Sequence, residues 1–335
     1  MTGPPSRTMA DAGLQGVIVI LTERCNSRCV MCDYWRIEQP RVLARCDLVD
    51  FWNRRMGMRP HFVSLSGGEP LLYPDLFAVA HHLSARTDCL VLSTNGLLLD
   101  SACREVATHF HKVIVSIDGA TADTVRKIRG VDQLERALHG VTAVLRHGHG
   151  IRLVLKMTLQ KANFRELPAF VDMARALGVS GIALTVPELA SRAFLREAGT
   201  RASAQRDLLL SAADAAEFAD IAGQVASKVA ADPGTASSFL VEGDLTRFVE
   251  FFDYHSGRAH ALSPRQACSV AGTRLVVYAD GQLRPCFFLP PIGHIQDPVE
   301  GNLAQTEAGS GQRTGFDVAA SGTCRSCCQF LQWRF

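Results

Sequence analysis

Apolar runs of strand length recur at 16–21, 61–66, 89–94, 112–117, 151–158 and 179–185. The stretches between them, such as 74–85, 101–110, 131–147 and 163–177, carry apolar residues at helical spacing. A β-α unit repeated about six times predicts parallel strands joined by right-handed helical crossovers. Such a chain folds into an α/β sheet or a partial barrel, and its chemistry gathers at the C-terminal ends of the strands.

At 335 residues the chain has room for two compact units. Its 35 Lys and Arg stand against 33 Asp and Glu, a formal charge of +2, so no global field recruits nucleic acid or an anionic membrane. No run of about 18 apolar residues exists to cross a bilayer. The first residues lack the apolar core of a secretory signal, which predicts a cytoplasmic protein.

The 11 cysteines are odd in number and fall largely into two groups, a distribution that points to metal rather than disulfides. Cys25, Cys29 and Cys32 form C-x3-C-x2-C in a polar loop directly after the first strand. Three soft thiolates on a cubane of four irons leave one iron open to a ligand, whereas a redox-inert zinc loop is the plainer alternative. The second group is Cys268, Cys286, Cys324, Cys327 and Cys328. Cys89 and Cys103 read as core residues, and Cys46 lies in the loop after the triad.

Polar loops follow the next strands in turn. Ser66-Gly67-Gly68-Glu69-Pro70 comes after the second, Ser93-Thr94-Asn95-Gly96 after the third, and Ser116-Ile117-Asp118-Gly119 after the fourth, with Arg129-Gly130 downstream. Each alone reads as an ordinary turn. Together, on successive strand ends and behind a cysteine loop, they read as one site.

These residues resemble the radical S-adenosylmethionine (radical SAM) superfamily over about 16–184, with a C-terminal match from Cys268 to Cys328. The resemblance implies a partial (β/α)6 TIM-type barrel followed by a small β-hairpin and helix iron-sulfur domain. It implies a [4Fe-4S] cluster on Cys25, Cys29 and Cys32, its free iron chelated by S-adenosylmethionine. Gly67, Gly68 and Glu69 are then expected on the methionyl ammonium, Asn95 on the ribose, and Ser116 and Arg129 on the carboxylate, while Asp118 shapes its loop. The residue before the third cysteine, usually aromatic, is here Met31, with Tyr34 and Trp35 close behind. A flavodoxin or ferredoxin type electron donor is the implied partner.

Pro233-Gly234 breaks a helical stretch, so residues 1–233 are expected to form the core and 234–335 a second unit. There Asp280-Gly281 between two apolar runs signals a hairpin that brings Cys268 towards Cys286. With Cys324 and Cys327 this resembles the twitch domain, a shortened relative of the SPASM extension, which holds one auxiliary [4Fe-4S] cluster; a structural zinc is the alternative. Cys328 is either an alternative ligand or a free thiol.

An auxiliary cluster fully ligated by protein accepts an electron, which favours net oxidation of a small polar metabolite such as a sugar, aminocyclitol or nucleoside. Only 24 residues precede Cys25, too few for a leader-binding domain, so a peptide maturase is the less favoured reading. A redox-neutral epimerase or decarboxylase is the close rival, with Cys46 or Cys328 as hydrogen donor. Lys156, Arg152, Glu188 and Arg192 are candidate substrate contacts or bases, and solvent-facing charges are the plainer reading of each. A non-catalytic iron-sulfur or zinc protein is the alternative of another class.

Overall fold

The computed structural model describes residues 14–148, 150–187, 207–231, 239–260 and 270–298. Six strands match the apolar runs within two residues: β1 (Gly16–Ile20), β2 (Phe62–Ser66), β3 (Cys89–Thr94), β4 (Lys112–Ser116), β5 (Arg152–Thr158) and β6 (Gly181–Thr185). Four further strands follow, β7 (Leu240–Glu242), β8 (Arg274–Val277), β9 (Gln282–Arg284) and β10 (Gly293–His294). All lie in one sheet, in the order β10-β9-β8-β1-β2-β3-β4-β5-β6-β7.

From β1 to β7 the order follows the chain without reversal and each pair is parallel. A doubly wound sheet reverses direction and places helices on both faces, whereas a sheet wound one way curls about a single lumen. The architecture is a mixed α/β sheet of partial TIM-barrel type. Its outer face packs on helices α1 (Arg45–Phe51), α2 (Leu76–Ser84), α3 (Cys103–His109), α4 (Ala122–Arg129), α5 (Leu134–His147) and α6 (Leu167–Ala176) through one continuous apolar core.

The period of two along each strand sorts the residues cleanly. Val17, Val19, Val63, Leu65, Leu90, Leu92, Leu153 and Leu155 face the helices. Ile18, Phe62, Cys89, Val91, Ile114, Val154 and Ala183 meet one another on the concave face. Continuing that face towards the strand ends gives Ser66, Ser93, Ser116 and Lys156, each partly exposed.

Two helices, α7 (Ala212–Ala230) and α8 (Leu245–His255), complete the outer layer. Ser211 and Asp214 form a reciprocal capping box on α7. Phe218 of α7 meets Phe164 at 6.3 Å and Phe252 of α8 at 5.3 Å, both edge to face. Each such pair contributes about 0.5–1.5 kcal/mol beyond its buried area. The sheet does not stop at the expected boundary near 233: β7 extends the β6 edge, and β8 extends the β1 edge in parallel. The Asp280-Gly281 hairpin forms as β8 and β9, with Gly281 at φ +83. A buried ion pair from Lys112 Nζ to Glu242 Oε1 spans from β4 to β7, so β7 is tied to the lumen by charge as well as by its ladder.

Candidate functional site

The loop after β1 carries the triad, and four attachments fix it. Arg28 and Val30 donate backbone N–H groups to Arg129 and Ile128 at the end of α4, at 2.8 and 2.9 Å. Gly68 and Glu69 donate theirs to Thr22 and Arg24, both at 2.7 Å. These contacts need glycine: a Cβ on Gly68 would lie 2.3 Å from the Arg24 carbonyl oxygen, and one on Gly130, at φ +70, 2.5 Å from that of Arg28.

Cys25, Cys29 and Cys32 carry no disulfide. Cys25 and Cys32 pack beneath Ile20, Tyr34, Val276, Ala279, Tyr278 and Phe287, so the β8–β9 hairpin supplies part of their apolar cover. Trp35 donates its indole N–H to the Cys29 carbonyl at 3.2 Å. Burial pushes the Cys25 thiol up to about 11, with the neighbouring Cys29 adding to the rise. Burial also raises Cys29, against the pull of Arg129. Among the described residues no three His, Cys, Asp or Glu side chains are placed to hold a single metal ion.

Arg129 is buried and donates from Nη1 to Asp118 Oδ2 at 2.8 Å. Burial alone would lower its pKa, but Cys29, Asp118 and Cys25 together hold it above the ordinary arginine value. Its Nε is buried without a hydrogen-bond partner. Asp118 adopts φ +66 and accepts the Thr158 N–H at 2.6 Å, while its carbonyl accepts from Asn163 at 2.9 Å. It is therefore the residue that turns the chain at the end of β4.

Glu69 is fully buried, with Oε1 accepting from Leu71 N–H and Thr94 Oγ1 and Oε2 from Asn95 N–H, so an ammonium contact from its carboxylate would require those bonds to be exchanged. Burial raises its pKa against those hydrogen bonds. The carboxylate ties the β2 loop to the β3 loop, and Gly67 and Gly68 leave backbone as what that loop presents. Asn95 is likewise spent inward: Nδ2 donates to Asn26 Oδ1 at 2.7 Å and Ser27 Oγ at 3.0 Å, and Oδ1 accepts from Leu97 N–H. A ribose contact from its side chain would require those bonds to be exchanged. Ser116 stays partly exposed at the end of β4.

Sequence reasoning missed Gln133, which is 1% exposed just before α5 and touches the triad loop and the ends of both β3 and β4. Lys156 stands in register with Ser116 and with Ala183, which pairs with Glu242. Burial lowers its pKa, with Asp118 acting against that shift and Arg129 adding to it. Arg152 lies at the first residue of β5, and at about 3.3 Å per residue the four steps to Lys156 put it roughly 13 Å away at the floor. There it lines a cavity of about 500 Å³ with Gln15, His61, Phe62, Asp88, Cys89 and Arg274. Cys46 sits exposed in α1, 3.6 Å from Asp47 Oδ1, rather than in the loop expected after the triad. Cys286 is partly buried beyond β9. Glu188, Arg192, Cys268, Cys324, Cys327 and Cys328 lie outside the described residues.

Residues 19–174 match the sequence pattern of the radical SAM superfamily. This stretch is a radical SAM domain. The chain is 36% identical over 169 residues to pre-heme d1 synthase of Dinoroseobacter shibae, covering 49% of this chain and 41% of that protein. It is 29% identical over 194 residues to the mycofactocin maturase MftC of Mycobacterium tuberculosis, covering 54% and 48%. The chain thus spans less than half the length of these curated relatives. Streptococcus suis SuiB bound to S-adenosylmethionine superposes with a TM-score of 0.66 at 13% identity, covering 95% of this chain and 72% of that one, a likeness of fold.

The radical SAM domain fits its cofactors by the chemistry of its donors. Three thiols, two of them under an apolar cover, suit a thiolate-bound iron-sulfur cluster, and a cationic side chain with an orphaned buried Nε suits a carboxylate beside it. No helix among the described residues is long and apolar enough to cross a membrane.

Proposed function

We propose that the chain is a radical SAM enzyme that removes a hydrogen atom from an unactivated C–H bond of a small polar metabolite, with net oxidation of that carbon. Cys25, Cys29 and Cys32 would hold a [4Fe-4S] cluster, and Gly67, Gly68, Ser116 and Arg129 would line the S-adenosylmethionine. When bound, that pair supplies a 5'-deoxyadenosyl radical. The observation that carries the reading is the convergence of the triad loop, the Gly67–Gly68 turn and the Asp118–Arg129 pair on one edge of the sheet.

The protein's own contributions are positional and electrostatic. Tyr34, Tyr278 and Phe287 exclude water from two of the thiols. Arg129 neutralises the negative charge gathered there. The concave face orients the substrate with Ser66, Ser93 and Ser116, and Lys156 presents an ammonium to it. A second, auxiliary [4Fe-4S] cluster on Cys268, Cys286, Cys324 and Cys327 would take the electron released by oxidation, and a flavodoxin or ferredoxin would reduce the first. A cytoplasmic place belongs to the same reading.

A peptide substrate is the second reading, supported by the likeness of fold to Streptococcus suis SuiB, which was solved bound to precursor peptide SuiA. Deuterium transfer separates the two. Candidate metabolites labelled at each carbon are incubated with the reduced enzyme, and mass gain in 5'-deoxyadenosine marks the attacked position. Label arriving only from a peptide would overturn the metabolite reading.

A further inference from the structure

We infer that Gln133 is a positioning residue that fixes the sulfur of Cys25 by holding Ser27, an inference that rests on reading the triad loop as the reactive centre. Gln133 immediately precedes α5, yet its side chain makes no cap to that helix. All of its bonds go elsewhere. Nε2 donates to the Asn95 carbonyl at 3.2 Å and the Ser116 carbonyl at 3.1 Å, while Oε1 accepts from Ser27 Oγ at 3.2 Å.

Two carbonyls at one pole fix which way the amide faces, because only the NH2 group can donate to both. Its oxygen must then meet Ser27. The Ser27 hydroxyl accepts from Asn95 Nδ2 at 3.0 Å, so its single proton is committed to Gln133. With the side chain held at both lone pair and proton, the Ser27 backbone N–H rests 3.5 Å from Cys25 Sγ. One buried amide therefore links the ends of β3 and β4 to the first thiol of the triad. Hydrogen bonds to ligating sulfurs are a lever on cluster potential and geometry. Isosteric replacements fail in distinct ways: Leu keeps the volume without the bonds, and Glu turns an oxygen towards two carbonyls.

The test uses the full chain before and after anaerobic reconstitution with iron and sulfide. Before reconstitution, alkylation of each cysteine by iodoacetamide is followed by mass spectrometry. Cys25 is partly buried, so a loosened loop exposes its sulfur to the reagent and it reacts faster. Gln133→Leu is expected to speed Cys25 about tenfold, as the loss of a buried hydrogen-bond network implies, with exposed Cys46 unchanged. Ser27→Ala should reproduce the effect, and the double variant should exceed neither single one. Thr87→Val, equally buried at the floor of the barrel, should lower stability without altering Cys25.

After reconstitution and reduction, the S-adenosylmethionine concentration that half-saturates the change in the cluster's electron paramagnetic resonance signal should rise about tenfold in Gln133→Leu. Equal Cys25 reactivity in Gln133→Leu and wild type, or an equal change in Thr87→Val, overturns the inference. If Gln133→Leu does not fold, Ser27→Ala carries the same comparison. A wild-type signal that ignores S-adenosylmethionine while Cys25 reactivity still separates the variants sinks the proposed function and leaves the positioning role standing.

Discussion

Arg129 Nη1 lies 2.8 Å from Asp118 Oδ2, and both side chains are almost wholly withdrawn from water. Burying two charges is expensive, and removing one partner strands the other at a cost of about 3–5 kcal/mol. Asp118→Ala is therefore expected to lower the unfolding free energy of the chain by that amount, measured in urea. Asp118→Asn should cost less, because Asn tolerates the left-handed backbone and keeps the Thr158 hydrogen bond.

A second buried pair permits a cleaner separation of charge from packing. Lys112 is paired with Glu242 across the lumen, and Glu242 Oε2 has no hydrogen-bond partner. Lys112→Met alone should destabilise by about 3 kcal/mol or more, whereas Lys112→Met with Glu242→Leu should come close to wild type. Urea titrations of the two singles and the double close the cycle. An additive double would mean that the pair is not coupled.

Thiolates are the nucleophiles and the metal ligands, and Cys25 is pushed up to about 11 by burial. Below that value its thiolate fraction grows tenfold with each pH unit. Alkylation of Cys25 in the iron-free chain should thus still be climbing at about pH 10, beyond the ordinary thiol value near 8.5. For the same reason loading the triad should release protons, which calorimetry in buffers of different ionisation enthalpy can count.

Lys156 and Arg152 share a strand and a face but should behave as opposites. Lys156→Met is expected to leave the uncoupled cleavage of S-adenosylmethionine within about threefold while lowering hydrogen transfer from substrate at least about tenfold, the loss of one charge-assisted contact. Arg152→Ala, at the floor, should change neither. Parallel assays of 5'-deoxyadenosine and of deuterium uptake into it check both.

The strands were legible because alternation at period two survives any tertiary context in which one face meets helices and the other a lumen. Less visible was α4, since Ala122–Arg129 is short and mostly polar, and β7, since three residues carry no pattern of their own. The sequence located the loops of the site but not the atoms they present. Glu69 lies where the motif puts it, yet its carboxylate turns inward because Thr94 and Asn95 offer three donors with Leu71. Gln133 had no local signature at all, because its partners come from three separate loops. Arg152 was within reach of sequence reasoning: the first residue of a parallel strand belongs to the floor, opposite the end where chemistry collects.

The most direct measurement incubates anaerobically reconstituted, reduced protein with S-adenosylmethionine and quantifies 5'-deoxyadenosine beside Cys25→Ala, Cys29→Ala and Cys32→Ala. The account predicts nucleoside from the wild type and none above background from the three variants. Iron-loaded wild type that yields no more nucleoside than those variants would contradict it.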